Sequence, residues 1–87
     1  MSNLSSDILY SDKHPDAVLE RLNEMVSSNK QVCVRLEQTI SPFTLWGILI
    51  RKDSGRFLVE SSDRQSFVDF NLTHVTSIGK TCIWITS

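Results

Sequence analysis

The chain has 87 residues, 40% hydrophobic and 22% charged, which is enough for one domain near the lower size limit for a self-sufficient core. Nine basic and ten acidic side chains leave a net charge of −1. That removes the global positive excess that drives counterion release on nucleic acid, so RNA contact would need a local patch. No apolar run reaches the roughly 20 residues of a membrane-spanning helix, and no signal-peptide core is present, which reads as a soluble intracellular protein, cytoplasmic or nuclear.

In chain order, residues 1–10 are rich in Ser and Asn and read as a flexible amino-terminal segment. Leu4, Ile8, Leu9 and Tyr10 are too few for a core but could latch onto a partner. A helix is expected over residues 11–28. Ser11, Asp12 and His14 are cap candidates, Pro15 suits a first turn that needs no N–H, and Asp16 complements the helix dipole. Val18, Leu19, Leu22, Met25 and Val26 form one stripe, opposite Glu20, Arg21, Asn23 and Glu24. Ser27-Ser28-Asn29 ends the helix.

From Gln31 to Glu37 the pattern alternates, with Val32, Val34 and Leu36 on one face and Cys33, Arg35 and Glu37 on the other. Gln38 to Phe43 reads as a connector in which Ser41-Pro42 excludes regular pairing. The stretch from Leu45 to Arg51 is apolar on both faces, with Trp46, Ile48 and Ile50 on one and Leu45 and Leu49 on the other. This predicts a central, strongly bent strand buried on both sides, and Gly47 is where it bends or admits another backbone. Turns at Asp53-Ser54-Gly55 and Ser61-Ser62-Asp63-Arg64 flank a strand through Phe57-Leu58-Val59-Glu60. A further strand runs from Ser66 to Leu72, with Val68, Phe70 and Leu72 on one face, and short strands follow at Val75–Ile78 and Cys82–Ile85. The expected fold is mainly β with one N-terminal helix, a small, strongly bent antiparallel barrel occupying residues 11–87.

Chemical signals are sparse. Cys33 and Cys82 lack CxxC spacing and read as buried thiols, with a disulfide left open. His14 and His74 have no nucleophile at motif spacing, and no G-x-S-x-G, P-loop, G-x-G-x-x-G or H-E-x-x-H occurs. The expectation is a non-enzyme without metal, cofactor or small-molecule substrate. Arg51, Lys52, Arg56 and Arg64 cluster around two turns as candidate RNA contacts, with Phe57 and Phe67 nearby as stacking surfaces. The competing reading makes them solvated turn charges and core phenylalanines. Trp46 and Trp84 read as core, although a Trp84 exposed on a terminal edge strand would mark a protein interface.

With helix, strands and this central pattern in place, the chain resembles the Sm/LSm superfamily over residues 16–80. The family's G-x-L-x-x-x-D motif is matched by Gly47-Ile48-Leu49-Ile50-Arg51-Lys52-Asp53, its first strand by Val32-Cys33-Val34-Arg35-Leu36, and its second motif by Phe70 to Ile78. The resemblance implies a five-stranded bent barrel. Its departures matter more. Arg56-Phe57 stands where RNA-binding Sm proteins carry Met-Asn, and Asn71-Leu72 where they carry Arg-Gly. Asn71-Leu72-Thr73-His74 offers only an offset histidine against the Tyr-Lys-His turn of the Hfq branch.

An Sm fold that has lost its uridine pocket implies a protein-binding subunit. The chain is most similar in layout to the Sm-fold Gemin subunits of the SMN complex, which assist assembly of spliceosomal ribonucleoproteins. The bacterial Rho inhibitor Rof is the second branch, with Glu60, Asp63 and Asp69 as its acidic contact face. A third alternative is an RNA-binding Sm or Hfq-like ring using the basic cluster. Sm-type pairing implies that Phe67, Val68, Phe70 and Leu72 offer one edge and Val75 and Ile78 the other, with Trp84 as a further interface residue. The partner is then another Sm-fold subunit joined by strand addition, which proline at Phe70 should block without unfolding the chain.

Overall fold

A computed structural model describes residues 8–36 and 43–86. The expectations for Leu4, Glu37 and the Ser41-Pro42 connector lie outside them. The described elements are β1 (Ile8–Ser11), α1 (Pro15–Ser28), β2 (Gln31–Leu36), β3 (Phe43–Arg51), β4 (Arg56–Glu60), β5 (Phe67–Asn71), β6 (Val75–Gly79) and β7 (Cys82–Ile85). A 3-10 turn, Leu72–His74, joins β5 to β6.

All seven strands form one sheet in the order β1-β6-β7-β2-β3-β4-β5. β2 and β7 run parallel and the other neighbours antiparallel, so the sheet is mixed. The expected five-stranded antiparallel barrel is not what forms. β7 inserts between β6 and β2, β1 adds outside β6, and the two end strands β1 and β5 do not pair, leaving the sheet open.

The helix starts later than its pattern suggests because Ser11 is taken into β1. Pro15 then enters the first turn, and His14 occupies the cap position without a side-chain hydrogen bond. Asn29 ends the helix in the left-handed conformation, φ 56°, which asparagine tolerates. Val18, Leu22 and Met25 are buried against the inner face of the sheet, with Leu19 and Val26 packed beside them. α1 lies over β3 on one side and β1 and β6 on the other. Arg21 ties the helix down by donating from Nε to Gly79 O (3.3 Å) and from its terminal nitrogen to Lys80 O.

The inner face carries Val32, Val34, Leu49, Phe57, Val59, Phe70, Ile83 and Ile85 in one continuous core. Gly47 behaves as expected. A methyl group built on it would run into the main chain of Glu60 and Ser61, 2.5 Å from Glu60 C and 2.9 Å from Ser61 N. β4 therefore crosses close over β3 there. β3 itself is not buried on both sides, because Trp46 (52% exposed) and Ile50 (37%) stand open on the outer face. The strand covered on both faces is β7, where Ile83 and Ile85 join the core and Cys82 and Trp84 form a second cluster with Cys33.

Candidate functional site

Ile8 to Tyr10, expected to be part of a flexible segment, form β1 against β6 (Tyr10 opposite Ile78, Ser11 opposite Ser77). The latch closes onto the chain's own sheet. As a result β6 has neighbours on both sides, and Val75 and Ile78 are buried rather than edge residues. Trp84 is likewise no interface residue, being 4% exposed on an interior strand.

β5 is an open edge. Its register against β4 places Phe57 opposite Phe70 and Val59 opposite Val68. Ser61 N donates to Ser66 O (2.9 Å) and Leu72 N to Gly55 O (2.8 Å), and these fix the alternation of the ladder. Ser66, Val68, Phe70 and Leu72 turn their main-chain groups towards β4, and Phe67, Asp69 and Asn71 turn theirs away. The N–H of Asn71 donates to His74 Nδ1 (3.3 Å) and the main-chain N–H of His74 donates back to the Asn71 side chain in a capping box, while Thr73 N also donates to Asn71 Oδ1 (3.1 Å). His74 thus serves as a turn cap. Phe67 and Asp69 remain, each with a main-chain donor and acceptor facing no strand among the described residues.

Of the expected interface side chains, Phe70 is core, Val68 and Leu72 pack against it, and Phe67 stands 65% exposed. The edge is therefore a main-chain surface with one aromatic flag. Proline at Phe70 is the wrong probe, since that N–H bonds β4 and that ring fills the core. The equivalent probe is Asp69, whose N–H points outwards.

The four basic residues do not make one cationic patch. Arg51 is committed to structure, donating to Asp53 O (3.0 Å), Ser54 O (3.0 Å) and Asn23 Oδ1 (2.7 Å) with its guanidinium 5.7 Å above the centre of the Phe57 ring. It clasps the β3–β4 turn to the helix. The same turn is closed by Asp53 Oδ1, which accepts from Gly55 N and Arg56 N, both at 3.1 Å. Arg56 is paired with Asp69 at 2.8 Å. Lys52 and Arg64 are exposed and make no side-chain hydrogen bond or ion pair among the described residues, Arg64 sitting in the left-handed region with φ 60°. Of the two candidate stacking rings, Phe57 is fully buried and only Phe67 is accessible.

The outer face carries a second feature. Trp46, Ile48 and Ile50 alternate along β3, and the register sets Leu58 beside Ile50 and Glu60 between Ile48 and Phe67. Glu60 makes no side-chain hydrogen bond or ion pair among the described residues. At the turn beyond it, the Asp63 carboxylate is held below its ordinary pKa by the Ser61 hydroxyl and by the N–H of Gln65.

Cys33 and Cys82 are free thiols facing each other across the parallel β2–β7 pair, buried beside Trp84. Burial first, then hydrogen bonding to Cys82, pushes the Cys33 thiol up to about 12 from 9.0. The folded state therefore binds a proton that the unfolded chain releases. The associated stability is fully present below pH 9 and is lost as pH rises towards 12. Ellman's reagent at pH 8 should leave both thiols untouched in the native protein and titrate both in denaturant. Fast native reaction at either thiol would contradict this burial.

No family model, curated protein or solved structure matches the chain. No group of three or more metal-ligating side chains occurs among the described residues, and no described helix is long and apolar enough to cross a membrane.

Proposed function

We propose that the protein is a non-catalytic interaction module that takes a protein partner by strand addition at β5. The observation that carries this reading is the pair of outward-facing, unpaired main-chain positions at Phe67 and Asp69. Such an edge invites pairing unless it is blunted, and β5 keeps an unbroken register over five residues. The opposite edge is less suited, because β1 is shorter and its register shifts between Ile8 and Tyr10.

The resemblance to the Sm fold supplies the biological setting: a pocket-less subunit that assists ribonucleoprotein assembly, in the manner of the Gemin subunits. The helix ahead of β2 to β6, the close crossing at Gly47 and the 3-10 turn after β5 are in keeping with it. A head-to-tail ring is a poorer fit, since the β6 edge such a ring would need is already covered by β1. Direct RNA binding also loses support, because Arg51 and Arg56 are engaged internally. Rof-type inhibition keeps one supporting observation, the placing of Glu60, Asp63 and Asp69 at the β4–β5 end of the sheet.

The test is Asp69→Pro. It removes an outward N–H and the exposed ion pair with Arg56 but no ladder bond, so circular dichroism should match that of Asp69→Ala, the reference that lacks the same ion pair. Capture of the protein partner should fall by at least about tenfold, the scale of losing one or two main-chain hydrogen bonds. Undiminished capture by a folded Asp69→Pro protein would refute strand addition.

A further inference from the structure

We infer that the outer face of the sheet is a second docking site, built for an amphipathic helix of a partner protein that carries one Lys or Arg within its apolar stripe. The face is an apolar strip in which Glu60 is the unpaired carboxylate; Asp69, beside Leu58, is paired with Arg56, and Arg35 stands on the same face of β2 beyond Trp46. Trp46, Ile50 and Phe67 are exposed, Ile48 and Leu58 are half-covered between them, and Glu60 lies in the same cross-strand row as Ile48 and Phe67. The cation on Glu60's own strand, Arg56, is already held by Asp69. An unpaired carboxylate ringed by apolar groups is a poor neighbour for an uncharged partner, because covering it removes its water without replacement. A partner cation resolves this.

Helical form follows from backbone chemistry. A segment lying on the face of a sheet receives no main-chain hydrogen bonds from it, so it must satisfy its own, as a helix does. The inner face of this sheet has that solution in α1, whose Val18, Leu22 and Met25 fill the same kind of strip. The lengths agree too: Trp46 to Ile50 spans about 13 Å at 3.3 Å per residue, and helix positions i, i+4 and i+8 span about 12 Å.

Charge selects against other occupants. The exposed side of α1 carries Asp16, Glu20 and Glu24, so a second copy offering that side would bring carboxylates to Glu60. A basic amphipathic helix fits.

The experiment is selection of a displayed library of helical peptides, randomised on one face, against the intact protein. The expected binders carry Lys or Arg within an apolar stripe, shift the emission of Trp46 and perturb β3 and β4 amides. They should weaken by about tenfold or more against Trp46→Ala and against Glu60→Gln. Trp46 lies on β3, two strands from the β5 edge, so the Trp46→Ala arm separates this face from that edge. Failure to recover helical binders, binders without a stripe cation, or binders indifferent to Trp46→Ala would each overturn the proposal.

Discussion

Replacing Phe57 with alanine is expected to cost about 3–5 kcal/mol, the range for emptying a buried aromatic site. Phe57 is fully buried, stacked on Phe70 with ring centres 5.9 Å apart, and lies beneath the Arg51 guanidinium at 5.7 Å. Three features therefore rest on one ring: the β4–β5 pairing, the core under α1, and the arginine that holds the β3–β4 turn to the helix. At about 0.05–0.15 kcal/mol per residue, a domain of this size has roughly 4–13 kcal/mol to lose. Urea unfolding followed by circular dichroism should show Phe57→Ala losing a large share of that reserve, and Phe57→Leu within about 1.5 kcal/mol of wild type. A Phe57→Ala protein with an unchanged midpoint would mean the ring is not in the core.

Gly47→Ala should be nearly as damaging, at about 3 kcal/mol, the upper end of the overpacking range. Most added methyl groups are accommodated by rotating a neighbouring side chain. Here the obstacle is the main chain of Glu60 and Ser61, so relief requires β4 to move off β3. Because Glu60 pairs with Phe67 on the next strand, that movement also disturbs the β5 edge. The variant should combine a lower urea midpoint with weakened partner binding. Full stability in Gly47→Ala would contradict the close crossing.

The parts of this fold readable from the chain are those set by local pattern. The stripe from Val18 to Val26, the alternation of β2 and β5 and the Asp53-Ser54-Gly55 turn all depend on neighbours within a few residues. What escaped depends on the covering of faces and on distant partners. Trp46 and Trp84 sit in equally apolar, alternating strands with neighbours on both flanks, yet one is open and the other buried, because of the two only β7 is covered on both faces. Alternation says which residues share a face, and says nothing of what lies over it.

β1 was hidden for a related reason. Ile8, Leu9 and Tyr10 all remain exposed, so no buried face imposes a pattern, and the strand exists through main-chain pairing with β6. Arg51 reads as a surface cation at the end of an apolar run. Its role becomes visible only when Asn23, 28 positions earlier, is brought to its guanidinium. The inward-facing half of the β5 edge shows the same limit: Phe67 and Phe70 look alike in sequence, and their opposite roles follow from the parity of the ladder with β4.

The measurement that bears most directly on a protein-binding module is the solution mass of the 9.9 kDa chain by light scattering, with and without oligo-uridine. A monomer or dimer indifferent to RNA is the predicted result, with β1 covering one side of the sheet and β5 left for a partner. A ring of six or seven subunits whose mass shifts with oligo-uridine would contradict it.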